Sequence, residues 1–113
     1  RINIMDSMGN LDKINLKPYK HRDVSFLVKI KTEADATQVA GLMENGGIKV
    51  WMKGRRENNK ETNKELVTYV AEQLGVDLFR VGLIRGHNSK VKTLVVKNVD
   101  VEELRGKFEG MIS

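Results

Sequence analysis

Cysteine is absent from the 113-residue chain, which excludes a disulfide framework, a thiolate nucleophile and any cysteine-based zinc or iron–sulfur site. Histidine is scarce as well. His21 and His87 stand far apart, and neither has a histidine or carboxylate at metal-ligand spacing, so no metal or cofactor is expected. No apolar run approaches the ~18 residues that a membrane-crossing helix needs. Proline occurs once, at Pro18, within "RINIMDSMGNLDKINLKPYKHR", whose apolar residues follow no sustained period. Residues 1–22 therefore read as a flexible arm ahead of a single domain at 23–113. The arm lacks the apolar segment and cleavage signature of a signal peptide, and Met5 is a candidate start, so an intracellular, cytoplasmic protein is expected, with organelle import or a longer precursor as the open alternatives.

What the chain does have is charge, unevenly placed. The formal net charge is +5, from 20 Lys/Arg against 15 Asp/Glu. The arm holds five basic and two acidic residues. Within the domain, residues 49–64 carry six basic and two acidic groups, and 85–97 carry four basic and none acidic. The rest of the domain is consequently net acidic. A surface polarised in this way points to a polyanion as partner.

The apolar pattern supplies the architecture. "VSFLVKIK" alternates through Phe26, Val28 and Ile30 and reads as a strand. "TEADATQVAGLMENGG" is ambiguous between a short helix and an irregular strand, and Gly46 and Gly47 then supply a turn. "IKVWMK" sets Ile48, Val50 and Met52 against Lys49, Trp51 and Lys53, as a strand with one buried face does. In "GRRENNKETNKELVTYVAEQLGVD", Leu66, Val67, Val70, Ala71 and Leu74 form a helical stripe. Asn58 and Glu61 resemble a capping box and Gly75 a stop, so the spacing predicts a helix over 59–74. "LFRVGLIR" alternates Phe79, Val81 and Leu83, and "VKTLVVKNV" presents Leu94 and Val96. A weak helix capped by Asp100 places Val101, Leu104, Phe108 and Met111 on its inner face. These elements predict an α+β, two-layer sandwich: a four-stranded mixed sheet with two helices on one face, in the order β-β-α-β-β-α.

The run from Asn63 to Lys92 resembles the YggU-like family of small proteins of uncertain function. Asn63 and Leu66 match the family's helix start, "LGV" at 74–76 its helix end, and Gly86, Ser89, Lys90 and Lys92 its Gly-x-x-Ser-Arg-x-Lys turn, with lysine for arginine at 90. With the two strands before them, the likeness covers residues 24–98. The family's Gly-Lys-Ala is here Lys60, Glu61 and Thr62, so an acid stands where its lysine would, unless Lys60 or Arg56 takes that role. The resemblance implies an α+β fold and no established reaction.

A full-length helix between the second and third expected strands suits a parallel pair. Their C-terminal ends, with the helix N-terminus, then share one edge. Lys53, Arg55, Arg56, Lys60, Arg85, His87, Lys90 and Lys92 would line that rim, with Asn63, Gly86 and Ser89 beside them as candidate contacts for an anion. Each has a plainer explanation. Turn lysines keep a sheet end soluble, Gly86 supplies a positive φ, and Asn88–Ser89 favour turns. Asn63 suits a hydrogen bond to the neighbouring loop better than a ligand contact. Trp51, on the face opposite Val50, could stack a base or pack against lysine stems or the arm. No carboxylate orients His87, so catalysis is not expected. The expected function is a monomeric, non-catalytic domain binding RNA or another polyanion. The alternative is a protein–protein adaptor that recruits its partner through the arm or the edge of the fourth strand.

Overall fold

The computed structural model describes residues 14–20 and 22–112. Met5, His21 and most of the expected arm lie outside the described residues. Among the described residues the chain forms six strands and two helices: β1 (Lys17–Tyr19), β2 (Asp23–Lys31), β3 (Gln38–Leu42), β4 (Ile48–Trp51), α1 (Lys60–Leu74), β5 (Val81–Arg85), β6 (Val91–Val96) and α2 (Val101–Ile112). A 3-10 turn at Leu78–Arg80 precedes β5.

The strands form one mixed sheet in the order β3-β4-β2-β6-β5, with β1 beside the N-terminal half of β2. β2 and β4 are parallel; β3–β4, β2–β6 and β5–β6 are antiparallel. The four expected strands make up β4-β2-β6-β5, and two more extend the sheet to six. Both additions have local causes. Val39 and Leu42, which also suit a helix, bracket a register shift opposite β4, and the φ of +144° at Gly41 breaks any helical run. Short of the 22/23 boundary, Ile14 is 2% exposed within the core and Lys17–Tyr19 pairs with Asp23–Ser25. The domain therefore takes in the end of the expected arm.

One sheet face and both helices share a single core. Phe26, Val28, Ile30, Ile48, Val50, Leu94 and Val96 meet Leu66, Val70, Leu74, Leu104 and Phe108. Phe26 and Phe108 cross edge-to-face with ring centroids 5.0 Å apart. Each such side chain contributes about 1.5–3 kcal/mol by leaving water.

Helix α1 starts one residue later than the capping-box reading. Asn59, not Asn58, is the cap, and its side chain accepts from the Glu61 N–H at 2.7 Å. Gly75 ends the helix in the left-handed region at φ 68°, and the Val76 N–H reaches the Ala71 carbonyl at 3.1 Å. The third expected strand loses its first three residues to the 3-10 turn, which leaves Phe79 77% exposed.

Candidate anion-binding edge

The pairing pattern runs β2, β4 and β5 in one direction, so all three end at the same edge of the sheet. The loop after β4 and the turn after β5 therefore lie on that edge, together with the first turn of α1. β2 and β6 separate β4 from β5, a span of about 14 Å at ordinary strand spacing. Something must bridge that distance if the loops are to act together.

Lys92 is the bridge. Its side chain is fully buried, and its ammonium donates to the Glu57 carbonyl at 2.7 Å, to Gly86 at 2.9 Å and to His87 at 3.2 Å. One acceptor belongs to the first loop and two to the second. Burial lowers the pKa of this ammonium from its ordinary value, against a smaller opposing pull from the Glu57 carboxylate. Sequence reasoning placed Lys92 among the anion contacts. The structure corrects this: all three donors of the ammonium are used inside the protein.

Asn63 makes a second tie, its Nδ2 donating to the His87 carbonyl at 3.1 Å. This joins the first turn of α1 to the turn after β5. Its Oδ1 is buried without a partner among the described residues. Ser89 is used locally as well: its N–H donates to the Gly86 carbonyl at 3.0 Å and its Oγ accepts from the Val91 N–H at 3.1 Å. At Gly86 φ is +80°, and an added Cβ would lie 2.2 Å from the Val91 carbonyl oxygen. Turn geometry alone demands glycine there.

The remaining predicted residues do face outward. Lys53, Arg55, Arg56 and Lys60 from one loop, and Arg85, His87 and Lys90 from the other, are all exposed. Lys90 also lies beside the end of β2, because the Ile30 N–H donates to its carbonyl at 2.8 Å. Arg105 pairs with Glu102 on α2, whereas among the described residues these rim cations have no carboxylate within ion-pair distance. On the α1 side the rim gives way to mixed charge. A groove of about 440 Å³ is lined by Lys53 and Lys64 but also by Glu61, Glu65 and Glu72. There Thr37 donates to Glu65, and the Tyr69 hydroxyl accepts from the Val39 N–H at 3.0 Å, holding strand β3 to the helix.

Sequence reasoning missed two features of the edge. Lys92 shares the inward parity of Leu94 and Val96, a signal that was available. Gly54 packs so closely on buried Thr62 that an added Cβ would sit 2.3 Å from its Oγ1, and no local pattern announces that contact. Among the described residues no three His, Asp or Glu side chains gather as metal ligands, and no helix is long and apolar enough to cross a membrane. No family model matches the chain.

Proposed function

We propose that this protein is a non-catalytic domain that binds RNA or another polyanion along the rim formed by the loops after β4 and β5. The observation that carries this reading is the coincidence of unpaired, exposed cations from two distant segments on one sheet edge, joined beneath by Lys92. Cations without internal carboxylate partners gain little from each other and much from phosphate. The N-terminal turn of α1 adds a dipole of the same sign. Among the described residues no acid orients His87 and no carboxylate cluster lies at the rim, so the arrangement favours binding over chemistry. The YggU-like resemblance is consistent with a small α+β domain and adds no reaction.

Salt dependence is the test. Three or four phosphate contacts with a single strand predict that affinity falls by about 20- to 50-fold between roughly 50 and 200 mM salt. Fluorescence anisotropy of a labelled oligonucleotide measures this directly. An affinity indifferent to salt, or none at low salt, overturns the reading.

A second reading, a protein-binding adaptor, draws on one observation. Leu78 and Phe79 project from the 3-10 turn 48% and 77% exposed. The edge of the fourth expected strand cannot serve it, since β6 lies inside the sheet between β2 and β5.

A further inference from the structure

The helices cover one face of the sheet; the other carries an arrangement that the rim does not explain. Toward the ends of β2 and β4, Lys29, Lys31, Lys49 and Trp51 all point to this second face, and all four are exposed. Lys29 is the Cα partner of Lys49, and Lys31 of Trp51. Two lysines directly opposite each other repel, which disfavours the bare sheet. Trp51 keeps 41% of its surface in solvent. The Lys31 ammonium lies 5.9 Å from its ring centroid, the outer limit of a cation–π contact, where a stacking group can replace it. The same ring lines a groove of about 320 Å³ with Gln38 and the carboxylates of Glu33 and Asp35. That volume falls at the lower end of small-ligand sites. The face is also continuous with the rim, because Lys90 sits beside the end of β2 and Lys53 follows Trp51 by two residues.

We propose that single-stranded nucleic acid held along the rim turns onto this sheet face and stacks a base on Trp51. The inference rests on the polyanion reading and adds the class of polyanion and its second contact surface. Phosphates lie over Lys29 and Lys49, which among the described residues have no carboxylate within ion-pair distance. The base enters the groove, and there the acids that would repel a phosphate accept hydrogen bonds from exocyclic amino groups instead. A duplex keeps its bases stacked on each other and cannot present one to the ring. A sulfated polysaccharide satisfies the cations and leaves the ring untouched.

Trp51 is the single tryptophan of the chain, so tryptophan emission reports the surroundings of this one ring. The full chain is titrated at low salt with a single-stranded RNA of roughly ten nucleotides, with the matching duplex, and with heparin. The single strand is expected to quench the emission saturably, and the duplex and heparin are not. Trp51→Ala is expected to weaken single-strand binding by about 5- to 100-fold while heparin affinity and the circular dichroism spectrum stay unchanged. Trp51→Phe should recover most of the loss. If the RNA binds without quenching and Trp51→Ala binds it like the parent, this inference falls and the rim reading stands. Equal losses for RNA and heparin in Trp51→Ala, or equal quenching by the duplex, also overturn it. Absence of any RNA or heparin binding at low salt removes both proposals together.

Discussion

Lys92 concentrates the energetics of the candidate site in one side chain. Burying an ammonium costs several kcal/mol, offset here by three charge-assisted hydrogen bonds of about 1.5–3 kcal/mol each. Methionine has similar volume and no donor. In Lys92→Met the Gly86 carbonyl keeps the Ser89 N–H and the His87 carbonyl keeps Asn63, whereas the Glu57 carbonyl loses the one donor described for it. The expected loss is therefore about 1–3 kcal/mol, read from urea unfolding midpoints. The pH dependence separates this cause from simple repacking. Burial depresses the folded-state pKa of Lys92 below its ordinary 10.5, so just below that value the unfolded chain binds more protons. Stability from this group then rises with pH in that window, while well below it the ammonium is charged in both states and the cost of burying it is fully present. The parent should gain stability relative to Lys92→Met as pH rises toward the ordinary lysine value of 10.5. A constant gap would show that Lys92 contributes volume alone. The inward parity of Lys92 with Leu94 and Val96 was legible in the sequence. The general rule that lysine faces water obscured it, since that rule knows nothing of three carbonyls waiting in the interior.

Glycine separates the elements by what each needs. At Gly86 both the positive φ and the Val91 carbonyl oppose a side chain, so Gly86→Ala is expected to destabilise by about 2–3 kcal/mol and to disturb the turn that Lys92 holds. Gly106 lies within α2 with nothing inside 4 Å of an added Cβ. Gly106→Ala should stabilise by about 0.5–1 kcal/mol through the lower entropy of its unfolded chain. Thermal unfolding of the two variants, expected to move in opposite directions, checks both. The same contrast explains how well the elements could be read. α1 and the central strands were legible because one apolar period runs through each. β3 was ambiguous because Val39, Gly41 and Leu42 fit two periods, and pairing with β4 decides between them. Phe79 continued the alternation of Val81 and Leu83 on paper, but the chain turns at Leu78–Arg80 before the strand begins. The cap shifted from Asn58 to Asn59 because adjacent asparagines offer the same chemistry, and only the path of the loop selects one.

Strand order is a property of the whole molecule, and it determines whether scattered charge becomes a surface. The direction of β4 and β5 followed from the helix that joins them, so the shared edge was readable in advance. That two strands lie between them, that Lys92 spans the interval, and that Lys29, Lys31 and Lys49 line up with Trp51 all depend on long-range pairing that no local pattern encodes. If the rim binds through position rather than total charge, reversing charges there must act differently from reversing them elsewhere. The triple variant Arg55→Glu, Arg56→Glu and Lys90→Glu takes the formal net charge from +5 to −1. So does Lys17→Glu, Lys20→Glu and Lys97→Glu, and all three of those exposed residues lie away from the rim, toward the edge where β6 ends. The two proteins share one long-range field to first order, and beyond about 10 Å at ordinary ionic strength that field is screened. The rim variant is expected to lose RNA binding by two orders of magnitude or more and to flatten the salt dependence, at about a tenfold loss for each phosphate contact removed. The distal variant should slow association several-fold and retain the salt slope of the parent. Equal losses in the two would mean that the cations act only as a sum, and the edge held together by Lys92 would then be a structural joint with no ligand of its own.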